Sequence, residues 1–159
     1  MYAGTCGETM ICAGGTNFPD KPMLEGGAKT WTDRIFTLSP GENGWTEAGT
    51  LPAPYAYGAS ASTREGLLCI GGCGKEGHRK DVYLLSTADG AVTVTPFPPL
   101  PIALAYTAAA VLGGKVYLTG GCERPGEQDC TNRVFMLDAR GPEQGWQELD
   151  PLPGRGRFL

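Results

Sequence analysis

Apolar positions along the chain come in short runs, each cut off by glycine, proline or polar residues. Nowhere do they recur at three- and four-residue spacing over a helical length, so the pattern predicts strands and little helix. Three runs end in a Gly-Gly pair: Met10 to Ala13 before Gly14 and Gly15, Leu67 to Ile70 before Gly71 and Gly72, and Val116 to Thr119 before Gly120 and Gly121. A polar loop follows each pair, and then a second run: Arg34 to Leu38, Asp81 to Leu85, and Arg133 to Leu137. A turn containing glycine leads to a third run, which carries Trp45 in the first copy and Trp146 in the third. The second copy has Val92, Val94 and Phe97 there instead. Each copy closes on Leu-Pro, at Leu51, Leu100 and Leu152, steps of 49 and 52 residues.

A repeat near 50 residues built of short strands around Gly-Gly is the kelch period, and it predicts an all-β, kelch-type β-propeller. The innermost strand of each blade precedes the Gly-Gly strand: Tyr57 to Ser62 in the second copy and Tyr106 to Leu112 in the third, both rich in small residues. The short stretch Met1 to Thr5 stands there in the first copy. Four-stranded blades are expected over residues 1–52, 53–101 and 102–153, with 154–159 opening a further one. Cross-strand aromatic pairs, Phe36 with Trp45 and Phe135 with Trp146, are expected to brace them. Such rings close with about six or seven blades. Three blades of a six-bladed ring make an open arc, so the expectation is a piece of a longer protein. A homodimer of two arcs is the reading if the chain is complete.

Composition supports this picture. The 159 residues include 25 Gly and 13 Pro, which favour turns over helices. The net charge of −4 and the lack of a basic run argue against a nucleic-acid partner, and no apolar run is long enough for a bilayer span. Six cysteines without a C-x-x-C pair, beside the single His78, argue against a metal site. Cys12 and Cys69 read as small core residues. Cys122 and Cys130 are spaced to bridge a loop in an oxidising compartment, a point the sequence leaves open. Gly72-Cys73-Gly74-Lys75-Glu76-Gly77 matches G-x-G-x-x-G, but a β run follows it rather than a helix. It therefore reads as a loop between blade strands and not as a dinucleotide site.

The loops that share one mouth of a propeller carry the candidate chemistry. Asn17, Phe18, Tyr57, Arg79, Tyr106, Arg124 and Arg155 combine aromatic faces with positive charge, a mixture suited to a small polar anion such as a sugar acid.

Two stretches carry a more specific resemblance. Ala13-Gly14-Gly15-Thr16-Asn17-Phe18-Pro19-Asp20, continued by Glu25 to Ile35, and Pro54-Tyr55-Ala56-Tyr57-Gly58 resemble the bacterial kelch-type N-acetylneuraminate epimerases, or sialic acid mutarotases. The resemblance implies a six-bladed ring that interconverts sugar anomers by acid–base ring opening, without metal or organic cofactor. It also implies a bacterial setting; the sequence does not fix the compartment, and the cytoplasm is favoured over the periplasm because no signal peptide is seen. The family's base lies in a Gly-Glu-x-Lys-Pro-Gly-x-Arg-like stretch. Glu123-Arg124-Pro125-Gly126 is shifted by one residue and lacks the following Arg, so no catalytic residue is assigned here. The alternative is a kelch module that binds a protein or glycan without chemistry.

Overall fold

The computed structural model describes residues 1–88, 90–126 and 130–158. Leu159, the end of the expected 154–159 segment, lies outside them. Among the described residues the strands form three four-stranded antiparallel sheets and one small hairpin. The first sheet is β1 (Tyr2–Cys6), β2 (Thr9–Asn17), β3 (Thr30–Leu38) and β4 (Thr46–Thr50). The second runs β5 (Ala59–Ser62), β6 (Leu67–Ile70), β9 (Val82–Ala88) and β10 (Ala91–Phe97). The third runs β11 (Ala108–Leu112), β12 (Lys115–Thr119), β13 (Val134–Asp138) and β14 (Gln147–Leu149). No described helix is long and apolar enough to cross a membrane.

Burial explains the unbroken apolar runs. Strand side chains alternate between faces. Leu67 and Cys69 of β6 join Tyr2, Ile11 and Ile35 in a core between the first two sheets. Leu68 and Ile70 join Val116, Leu118 and Phe135 in a core between the second and third. A sheet covered on both faces needs apolar residues at every position of its central strand, and all four residues of β6 are buried. The inner strands lie side by side: Ser60 and Ser62 of β5 accept through Oγ from the amides of Ala3 and Thr5 of β1.

The Gly-Gly pairs tie each sheet to the chain that follows it. Gly14, Gly71 and Gly120 have φ of 61°, 59° and 68°, a region that favours glycine. A Cβ on Gly71 would lie 2.5 Å from the carbonyl oxygen of Leu104, and one on Gly120 would lie 2.6 Å from that of Arg157. One on Gly14 would strike that of Tyr55. The same three carbonyls accept from the second glycine of each pair, Gly15, Gly72 and Gly121, at 2.7, 2.7 and 2.8 Å. The pair therefore lets main chain meet main chain where any side chain would intervene.

Two expectations need correction. The first Gly-Gly does not end its strand: β2 continues past a bulge between Ala13 and Gly15 to Asn17, pairing there with Thr30 of β3. Phe36 faces Glu47 rather than Trp45, which lies outside β4 and is 48% exposed. The Arg34 guanidinium covers the Phe36 ring at 5.8 Å, as Arg133 covers Phe135 at 5.0 Å, each held by a carboxylate (Glu47, Glu148) on the next strand. Trp146 is partly buried against the second core and donates its Nε1–H to the Pro98 carbonyl of the neighbouring sheet at 2.9 Å.

Candidate functional site: an aromatic cleft

Loops at one end of the sheets enclose an open cleft of about 370 Å³ between Trp31, Tyr57, His78, Tyr106 and the Pro125–Gly126 segment. Its floor is made by two tyrosines in an uncommon conformation. Tyr57 and Tyr106 have φ of 61° and 59°, left-handed values that cost a residue with a Cβ about 1–2 kcal/mol. Each lies just ahead of an inner strand, and the Tyr106 amide donates to the Tyr57 carbonyl at 2.7 Å. The turn places their rings 5.1 Å apart, centre to centre. Trp31 meets Tyr57 edge-on at 5.9 Å, and Phe158 and His78 meet Tyr106 at 6.4 and 6.0 Å. The result is a continuous aromatic wall, the surface on which the C–H faces of a sugar or an apolar ring would lie.

One charge is built into this wall. The ammonium of Lys29 sits 4.9 Å from the Tyr57 ring and 5.4 Å from the Trp31 ring, and donates to Tyr57 Oη at 3.1 Å. Thr16 Oγ1 lies 3.0 Å from the same oxygen. Hydrogen bonding from Thr16 and then Lys29 favours the phenolate and holds the Tyr57 phenol below its usual value. Burial pushes Tyr106 the other way. Lys29 can only donate to this oxygen, whereas Thr16 and Tyr57 can each donate to the other; when Thr16 donates, the Tyr57 proton is left for a third oxygen in the cleft. His78 Nδ1 lies 2.9 Å from the Cys122 carbonyl; since a carbonyl only accepts, Nδ1 is the donor.

The G-x-G-x-x-G stretch supplies another wall. Cys73–Gly74 (β7) and Gly77–His78 (β8) pair as a two-stranded hairpin, with no helix N-terminus for a phosphate.

Of the seven residues expected to bind substrate, Tyr57 and Tyr106 meet in the cleft. The other five do not line it. Asn17 ends β2 and is exposed, and Phe18 follows it half-buried. Arg79 turns back onto the Tyr55 ring at 5.7 Å and pairs with Glu76 at 3.4 Å. Arg124 and Arg155 are exposed on neighbouring segments. Sequence reasoning missed Lys29, Trp31 and His78. Lys29 and Trp31 are two apart where β3 begins, so strand alternation puts them on one face.

Residues 103–150 match the family model of the kelch motif. N-acetylneuraminate epimerase of Brucella suis is 35% identical over 103 residues, covering 58% of this chain and 26% of that protein. The enzyme of the same name from Vibrio vulnificus is 35% identical over 80 residues, covering 45% and 20%. The chain thus carries a kelch motif and is similar to these epimerases over part of its length. The solved structure of YjhT superposes with a TM-score of 0.75 at 16% identity, over 98% of this chain and 53% of that one, which shows the kelch propeller fold. The matches span about a quarter of the length of the Brucella relative and a fifth of that of the Vibrio one.

Proposed function

We propose that the aromatic cleft holds a sugar acid of the N-acetylneuraminate type within a kelch propeller that interconverts its anomers. The observation that carries this reading is Lys29 set against the Trp31 and Tyr57 rings, which joins a cation for a carboxylate to flat faces for a pyranose. The kinship with N-acetylneuraminate epimerases supports the choice of sugar.

Mutarotation removes the proton of the anomeric hydroxyl, protonates the ring oxygen to open the ring, and reverses both steps on the other face. Tyr57 is the cleft group suited to the acid step, because Lys29 and Thr16 can both donate to its phenolate and so stabilise its conjugate base. Tyr106 packs beside it with its ring tilted by 40°, and its raised value keeps it neutral as a binding surface. Glu76 lies on the cleft rim at 83% side-chain exposure and is engaged by Arg79, so the proton acceptor is not assigned to it.

The test is NMR of freshly dissolved N-acetylneuraminate with the protein and with its Tyr57→Phe variant. Faster anomeric equilibration than buffer, lost in the variant, supports the reading. Saturable binding with no rate effect makes this a glycan-binding module instead. No binding overturns both.

A further inference from the structure

Behind the cleft, Cys122 and Cys130 face each other as partners in an isolated antiparallel bridge. The amide of Thr131 donates to the Gly121 carbonyl at 2.8 Å, one step outside the pair. That bond makes Cys122 and Cys130 the non-hydrogen-bonded kind of pair, whose Cα atoms are the closer, at about 4.5 Å, with side chains on the same face. This separation lies within the range that a disulfide spans. Their Sγ atoms are 3.3 Å apart. In the β7–β8 hairpin, Cys73, which follows Gly71-Gly72 as Cys122 follows Gly120-Gly121, pairs with His78, so the same slot there holds a residue that cannot bridge.

The pair sits where it can act on the cleft. The Cys122 carbonyl accepts from His78 Nδ1, and its amide and carbonyl both bond Ala105, next to Tyr106. Pro125 and Gly126 of the segment between the cysteines form part of the cleft wall. We propose that Cys122 and Cys130 are a redox-responsive dithiol, oxidised by a glutathione-type disulfide, whose closure fastens the bridge beside the cleft-lining Pro125 and Gly126. The proposal does not depend on which ligand the cleft takes.

Exposure sets the order of events. Cys130 is half-buried, whereas Cys122 is 4% exposed. The Cys130 thiolate attacks one sulfur of the oxidant, forming a mixed disulfide and expelling one glutathione thiolate, which takes up a proton. The Cys122 thiolate then attacks Cys130 Sγ and expels the second glutathione. Two protein thiols are oxidised to one disulfide, and one disulfide of the oxidant is reduced to two thiols.

The test equilibrates the full chain in glutathione buffers of stepped ratio, quenches in acid, alkylates and maps peptides by mass. Arg124 precedes Pro125, so trypsin leaves both cysteines in one peptide, whereas cleavage after Glu123 separates them. The expected result is a Cys122–Cys130 link in oxidising buffers while the other cysteines alkylate after denaturation. Alkylation of both residues at every ratio, or links scattered among all six cysteines, overturns the proposal. Cys122→Ala should accumulate a glutathione adduct on Cys130, and Cys130→Ala should leave Cys122 unmodified; the reverse overturns the order. The oxidised wild-type chain should melt about 5 °C above the reduced one. Equal melting temperatures with the link present overturn the fastening role. The wild-type measurements stand whether or not either variant folds.

Discussion

Tyr106 donates its backbone amide to the carbonyl of Tyr57 at 2.7 Å, and both residues hold the same left-handed conformation. The contact joins corresponding turns ahead of two inner strands and sets the spacing of the two rings. The backbone strain at these tyrosines is thus retained where the cleft is built.

That relationship separates strain from function. Tyr57→Gly should relieve the conformational cost while removing the ring. Its stability should stay within about 1 kcal/mol of the wild type, and binding of N-acetylneuraminate should be lost. Tyr57→Val should lose both, destabilising the fold by about 2 kcal/mol more than the glycine variant, because a β-branched residue resists positive φ. Urea denaturation with a binding titration on each variant checks the pair.

Gly71 and Gly113 share a φ of 59°, but their surroundings differ. A Cβ at Gly113 would meet nothing within 4 Å, whereas one at Gly71 would press on the Leu104 carbonyl. Gly113→Ala should therefore cost about 1 kcal/mol from conformation alone. Gly71→Ala should cost about 3 kcal/mol or more and broaden or split the thermal transition.

Tyr57 should be the first of these tyrosines to ionise. Its folded-state value is held below the ordinary 10.0, while those of Tyr2, Tyr55 and Tyr106 are raised. A group with a depressed folded value releases its proton earlier when folded. Tyr57's contribution to stability therefore grows as pH rises through the window just below 10, and is absent at neutral pH and below. The other three act oppositely, losing stability as pH climbs above 10. Ultraviolet titration of tyrosinate should show an early phase that Tyr57→Phe removes and Lys29→Met moves upward.

The two tryptophans of the repeat should differ in what they contribute. Trp146→Phe removes the bond to the Pro98 carbonyl and should cost about 1 kcal/mol. Trp45→Phe should change stability by less than about 0.5 kcal/mol, since Trp45 is half exposed and outside its strand. Fluorescence quenching should reach Trp45 first.

The strand order and the Gly-Gly ties were legible because they recur. Three copies of Gly14-Gly15, Gly71-Gly72 and Gly120-Gly121 impose one register on the chain, and the main-chain contact they permit tolerates no substitute. Tyr57 and Tyr106 were legible for the same reason, standing at matching points. Lys29 and Trp31 were not, because the insertion before Arg34 has no counterpart in the other copies. The bulge after Ala13 also turns apparent loop into paired strand. Arg79 shows why charge alone misleads: its guanidinium lies on Tyr55, behind the hairpin whose other residues face the cleft.

The ties between sheets run from the Gly15, Gly72 and Gly121 amides to the carbonyls of Tyr55, Leu104 and Arg157. Being main chain to main chain, they ask nothing of the side chains at those acceptors, and a tyrosine, a leucine and an arginine serve equally. Assembly and recognition are thereby written in separate alphabets. The mouth of the propeller is open to change in sequence, and so to new ligands, at little risk to the joints that hold it together.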